Sequence, residues 1–193
     1  MPGFQPPPLP PDLPEPTGDG ATDHLRDARV TPVRLPATSD EAVVLGALPR
    51  LTLLFCYPRM GQPLVSDWDR IPGARGCTPE ACGFRDVHAE FAAADVDVYG
   101  VSTQELAAQR EAVERLALPF ALLSDADLAL ATAWKLPTFE VAGHTLLKRL
   151  TLLLHDRAVT RLWYPVFPPD RHAADVLDAL RTRGLMSTAE KAM

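Results

Sequence analysis

Residues 51–57, Leu-Thr-Leu-Leu-Phe-Cys-Tyr, constrain the fold more than any other stretch of the chain. Apart from Thr52 the run is apolar, and Pro58 stops it. A strand with one wet face alternates apolar and polar residues. A strand apolar at successive positions is covered on both faces, inside a sheet. Val96–Ser102, interrupted by Asp97, reads as a second buried strand. Between the two, residues 59–76 carry Gly61, Pro63, Pro72, Gly73 and Gly76 and read as a long loop. Inside a compact domain such a loop is either functional or disordered. Thr78–Ala94 then reads as a helix, with Ala81, Phe84, Val87 and Phe91 on one face at helical spacing.

The alternation continues. Glu105–Leu116 reads as a polar helix ended by Pro119, Phe120–Leu123 as a short strand and Ala126–Trp134 as a helix. Phe139–Val141 and Thr145–Leu147 flank Ala142-Gly143-His144 as a hairpin, and Arg149–Leu154 and Val159–Tyr164 form another strand pair. Asp170–Arg183 is the closing helix, ended by Gly184. This order predicts an α/β domain: a central mixed β-sheet flanked by helices on both faces. It resembles the thioredoxin fold.

The 193 residues suffice for one domain with a real core. We divide them into a Pro-rich N-terminal extension (1–38), the α/β domain (39–183) and a C-terminal tail (184–193). Residues 2–16 are so dense in proline that helix and central strand are excluded, leaving extended or polyproline-like chain. Such an arm either serves as a Pro-rich ligand for a partner or lies on its own domain or a neighbouring subunit; we favour the second.

Hydrophobic content of 47% and charged content of 23% are ordinary for a soluble globular protein. A net charge of −6 without any Lys/Arg run argues against a nucleic-acid partner. No apolar stretch approaches the roughly 20 residues of a membrane helix. The start, Met1-Pro2-Gly3-Phe4-Gln5, has neither a basic nor an apolar segment of a secretory signal, so the expected location is cytoplasmic. The expected assembly is a monomer or homodimer, without a cofactor. Three cysteines, an odd number, suit a secreted disulfide scaffold poorly. In a cytosolic chain, closely spaced cysteines point to catalysis or metal binding.

Cys77 and Cys82 lie where the loop becomes the helix, in Gly76-Cys77-Thr78-Pro79-Glu80-Ala81-Cys82. Thr78 can cap a helix and Pro79 suits its first turn. The positive end of the helix dipole favours an anion, and a thiolate is one. Three readings compete. In the first, Cys77 attacks a peroxide, becomes a sulfenic acid and condenses with Cys82. The second is a general disulfide oxidoreductase, disfavoured because that class commonly spaces its cysteines C-x-x-C. The third is zinc, which needs four ligands; no histidine stands at a convincing spacing, and His88 reads as a helix-face residue.

Two cysteines five apart on a regular helix have Cα atoms roughly 8–9 Å apart, whereas a disulfide needs about 4.4–6.8 Å. A Cys77–Cys82 bond therefore requires the first turns to unwind. Fast peroxide chemistry also needs donors that hold the peroxide and stabilise the leaving oxygen. Backbone N–H groups near Gly76 and Cys77 can serve. Arginine is the natural side chain, and Arg75, Arg85 and Arg149 are the candidates.

Together these residues resemble the peroxiredoxins, of the peroxiredoxin Q or bacterioferritin comigratory protein type. The resemblance is carried by Tyr57-Pro58, by Pro72-Gly73-Ala74-Arg75-Gly76-Cys77-Thr78-Pro79-Glu80-Ala81-Cys82-Gly83-Phe84-Arg85-Asp86, by Tyr99–Ser102, by Leu123-Ser124-Asp125 and by Arg149–Leu152. It spans roughly residues 40–183. It implies a peroxidatic Cys77, a resolving Cys82, an active-site Arg149, a peroxide substrate and thioredoxin or a similar dithiol protein as reductant. The chain departs from the family pattern where a proline and a Thr or Ser precede the peroxidatic cysteine: here stand Arg70 and Ala74. Pro58 resembles the family proline displaced by an insertion of about a dozen residues, and Ser66 or backbone N–H groups are candidates to replace the hydroxyl missing at Ala74.

Cys56, inside the apolar strand, reads as a small hydrophobe. Trp134, Trp163, Tyr164 and Phe167 read as core or interface, Trp68 as a packing anchor or a residue shaping access to Cys77, and Asp125 as a helix cap.

Overall fold

The computed structural model describes residues 4–182. The end of the predicted last helix at Arg183-Gly184, the tail 184–193 and Met1–Gly3 lie outside the described residues.

The apolar run at residues 51–57 supplies the middle strand of the sheet. Strands β1 (Val33–Leu35) and β2 (Val43–Leu45) form a small antiparallel pair, followed by β3 (Leu51–Cys56). Beyond the loop come α1 (Cys77–Asp86), α2 (His88–Ala93), β4 (Val96–Ser102), α3 (Leu106–Leu116), β5 (Leu122–Ser124) and α4 (Ala129–Trp134). A hairpin of β6 (Thr138–Val141) and β7 (His144–Leu147) leads into β8 (Leu150–His155), β9 (Ala158–Trp163) and α5 (His172–Thr182). The main sheet has the order β5-β4-β3-β8-β9. β3, β4 and β5 run parallel, and β8 and β9 run antiparallel to their neighbours.

Successive side chains of β3 point to opposite faces, and each face has its own core. Leu53, Phe55 and Tyr57 pack with Phe84 of α1, Phe91 of α2, Ala112 and Leu116 of α3, and Val176, Leu177 and Leu180 of α5. Leu54 and Cys56 pack on the other side with Leu130 and Trp134 of α4 and with Leu25, Val30, Leu35 and Leu45. The second core draws heavily on residues before β3. Val30 N donates to Arg157 O and Val159 N to Ala28 O, while Thr38 N donates to Leu122 O and Ser124 N to Pro36 O. A division after residue 38 therefore runs between two paired strands.

One predicted helix is two. The chain bends at Val87 (φ −108°, ψ 10°), and α2 restarts at His88. The bend lets Phe84 and Phe91 enter the same core, with ring centroids 6.1 Å apart. The predicted Thr78 cap is also displaced. Gly76 caps α1 from a left-handed conformation (φ 107°) that other residues adopt only under strain, and Cys77 is the first helical residue. A side chain on Gly76 would also collide with Pro169, 2.3 Å from the position of a Cβ.

The loop between β3 and α1 has a small core of its own, in which Trp68, Ala74 and Leu146 are buried together. Gln104 clamps it from the far side: its Oε1 accepts from Met60 N at 2.8 Å and its Nε2 donates to Met60 O at 3.0 Å.

Candidate active site

Glu80 N donates to Gly76 O at 3.0 Å, the first bond of helix α1. Pro79 has no N–H. The N–H groups of Cys77 and Thr78 have no acceptor within the helix, because first-turn donors precede the ladder. Both residues line a cavity of about 820 Å³. Its floor is thus the positive end of a helix, with the Cys77 thiol on the first turn.

Arg149 comes from the other side of the sheet's centre, one residue before β8. It is buried, with Nη2 donating to Cys77 Sγ at 3.1 Å and to the carbonyls of Gly73 and Arg75 at 3.2 Å each. Nη1 is paired with the Glu80 carboxylate. The thiol of Cys77 lies 3.6 Å from Ala74 O, which can accept its proton in a weak hydrogen bond. One guanidinium therefore fixes the loop (Gly73, Arg75), the helix (Glu80) and the sulfur together.

Burial is the dominant electrostatic fact at this pair. It pushes the Glu80 carboxyl up to about 7, although the Arg149 charge and hydrogen bond pull the other way. Burial opposes the charge on Arg149 too, but the negative partners Cys77 and Glu80 outweigh it and hold the guanidinium protonated. Glu80 Oε1, Arg149 Nε and the Tyr57 hydroxyl are buried without hydrogen-bond partners. Burial pushes the Tyr57 hydroxyl up; the neighbouring Ser102 offsets part of that, and the charges at Cys77 and Glu80 add to it.

Of the three arginines considered from sequence, Arg149 is the one bonded to the sulfur. Arg75 lines the cavity and pairs with Asp69 at 3.3 Å. Arg85 pairs with Asp86 at 2.8 Å. Cys82 lies in the same helix as Cys77, buried in the same core, and burial pushes its thiol up. The structure brings Arg149 to Cys77 but leaves Cys82 five residues along an intact helix. Cys56 is buried on the opposite face of β3. Ser66 is not among the residues lining the cavity, and Ala74 is packed against Trp68 and Leu146. Trp68 is both buried and cavity-lining. Asp125 caps α4, accepting from Leu130 N and Ala131 N.

Sequence reasoning missed Glu80, the carboxylate that holds Arg149. Its signal was available: an acidic residue at an apolar-facing position of a helix, beside Ala81. It also missed His172, whose Nε2 lies 2.7 Å from Thr151 Oγ1, with its ring against the edges of Phe84 and Trp163. That contact joins α5 to β8 and has no local sequence signature. Among the described residues, no group of three or more His, Cys, Asp or Glu is placed to hold a metal ion.

The sequence profile of the AhpC/TSA family matches residues 71–161, the stretch that contains Cys77, Cys82 and Arg149. Chloroplastic peroxiredoxin Q of Oryza sativa subsp. japonica is 32% identical over 123 residues, covering 63% of this chain and 56% of that protein. The bcp peroxiredoxin of Coxiella burnetii is 29% identical over 150 residues, covering 76% of this chain and 91% of that protein. The crystal structure of peroxidoxin BcpB from Mycobacterium tuberculosis matches with a TM-score of 0.67 at 28% identity, over 81% of this chain and 96% of that one. The chain spans little more than half the length of the plant relatives it matches. The architecture shared with the solved structure is the thioredoxin fold, as the element order predicted. The cysteine motif, the helix that carries it and the arginine before β8 all lie inside the stretch that matches the AhpC/TSA family, and the chain is similar over it to peroxiredoxin Q and bcp proteins.

Proposed function

We propose that the protein is a thiol peroxidase that reduces hydrogen peroxide and organic hydroperoxides. The observation that carries this reading is the 3.1 Å contact from Arg149 Nη2 to Cys77 Sγ, made on the first turn of a helix and opening onto a cavity. The sulfur of Cys77 attacks the terminal peroxide oxygen. The S–O bond forms as the O–O bond breaks, and the leaving oxygen takes a proton to depart as water or an alcohol. Arg149 and the free N–H groups of Cys77 and Thr78 are the donors for the charge that develops on oxygen.

The product is a Cys77 sulfenic acid. The Cys82 thiol then attacks Cys77 sulfur and expels water, giving a Cys77–Cys82 disulfide. A dithiol protein of the thioredoxin kind returns both cysteines to thiols and is itself oxidised to a disulfide. A reducing compartment, the cytoplasm, suits this cycle.

Intact mass after one equivalent of peroxide tests the reading. The reduced protein should lose the mass of two hydrogen atoms. Cys82→Ser should instead gain one oxygen, and Cys77→Ser should do neither. A protein that ignores micromolar peroxide but exchanges disulfides with a dithiol partner would be a disulfide oxidoreductase, and the peroxidase reading would fall.

A further inference from the structure

Hydrogen peroxide, which is not much larger than water, needs a few tens of Å³. The cavity in front of Cys77 holds about 820 Å³, within the range of pockets that take whole organic ligands. One wall is Cys77, Thr78 and Pro79. Another is built by the N-terminal arm, through Phe4, Pro6, Pro7 and Leu9. Its four apolar side chains are contributed by a segment about seventy residues upstream of the thiol.

The arm is fastened at the places that matter. Arg85 Nη1, on the helix that carries both cysteines, donates to Phe4 O at 3.0 Å and to Leu116 O at 2.9 Å. The Phe4 ring lies against the Arg115 guanidinium of α3, 5.8 Å from centroid to carbon. Leu9 lies beside Gly76, with Cδ2 3.6 Å from the position a Cβ would take there. Prolines at 6, 7, 8, 10 and 11 hold the segment extended before it docks, so ordering it costs little entropy. Phe4 remains 39% exposed; it and Phe167 are the large apolar side chains left open to solvent among the described residues. An anchored phenyl ring left uncovered at the rim of a cavity is a contact surface for an apolar ligand.

We propose that Phe4–Leu9 is the specificity-determining wall of the peroxide site, selecting hydroperoxides with a bulky apolar group over hydrogen peroxide. This rests on the peroxidase reading. The apolar group sits against Phe4, Pro6, Pro7 and Leu9 while the terminal oxygen meets Cys77. The chemistry is unchanged: Cys77 becomes the sulfenic acid and the bulky alcohol leaves. Hydrogen peroxide has nothing to place on the wall.

The experiment compares kcat/KM for cumene hydroperoxide and for hydrogen peroxide in the full chain, in a variant lacking residues 2–11, and in Phe4→Ala with Leu9→Ala, which keeps the arm's length. The ratio of cumene hydroperoxide to hydrogen peroxide should fall about tenfold in both variants, the scale of losing an apolar contact in a pocket. If the deletion fails to fold, the double substitution carries the test. A full chain that reduces both peroxides, with an unchanged ratio in the folded variants, overturns this inference alone. A full chain that reduces neither overturns the peroxidase reading as well.

Discussion

Arg149 divides its terminal nitrogens between two partners, Nη1 on the buried Glu80 carboxylate and Nη2 on Cys77 Sγ at 3.1 Å. The two partners lie on one face of the first turn of α1, three residues apart, so one guanidinium spans them. Glu80 orients the arginine, and the arginine addresses the sulfur. A lysine could supply the charge but not the rigid two-nitrogen fork that spans both partners.

Arg149→Lys should therefore slow Cys77 oxidation by about 100-fold or more, the scale of losing a positioned donor, read by stopped-flow tryptophan fluorescence on mixing with peroxide. Arg149→Met should also destabilise the fold by about 3–5 kcal/mol, because it leaves Glu80 buried without its counter-charge. Adding Glu80→Gln to Arg149→Met should restore much of that stability in urea melts while leaving oxidation slow. A double variant no more stable than the single one would show that the two side chains are not energetically coupled.

The disulfide form should differ from the thiol form in one place. The Cys77 and Cys82 Cα atoms are roughly 8–9 Å apart on a regular helix, beyond reach of a bond, so α1 must unwind. Gly83 lowers the cost of doing so, since a mid-helix glycine is worth about 1 kcal/mol less than alanine. It is there because α5 packs close, with Ala173 Cβ 3.3 Å from a Cβ at that position. Amide exchange across residues 77–86 should accelerate on oxidation while β3 and β8 keep their protection. Equal protection of 77–86 in both redox states would contradict the mechanism.

His172 makes the fold acid-sensitive. Burial first, and the Arg149 charge second, hold its imidazole down at about 3, below the ordinary 6.5. Between those values the unfolded chain binds a proton that the native state refuses. The contribution of His172 is therefore complete above pH 6.5 and is lost as pH falls toward 3, by about 1.4 kcal/mol per pH unit at most. Glu80, raised from 4.5 to about 7, acts oppositely: its contribution weakens as pH rises across that interval. The difference in urea-melt stability between the native sequence and His172→Gln isolates the histidine. That difference should shift against the native sequence below pH 6.5; a pH-independent difference would mean that the imidazole ionises normally.

From β3 onward the strands were legible because a two-faced apolar run has one outcome in a sheet, and Val96–Ser102 matches β4 residue for residue; β1 and β2, three residues each, were too short to show a pattern. Helix ends were less legible. The break at Val87 depends on Phe84 and Phe91 meeting one core, and the start at Cys77 depends on Gly76 turning left-handed beneath Pro169. Neither Phe91's neighbours nor Pro169 is local to the motif. Ala74 illustrates the limit for the site. As a missing hydroxyl it looked like a gap; in the fold its methyl fills a small core with Trp68 and Leu146, and its carbonyl faces the Cys77 thiol.

The sequence by itself determined the order of strands and helices from β3 onward, the double burial of β3 and the placing of both cysteines where a loop becomes a helix, because each is written in spacings of a few residues. Tertiary structure decided what surrounds the sulfur. Arg149 reaches Cys77 across 72 positions, Glu80 meets Arg149 across 69, and Arg85 holds Phe4 across 81. No periodicity encodes such distances. They follow from which sheet neighbours β8 takes and from which way an arm of prolines is left pointing when the core has closed.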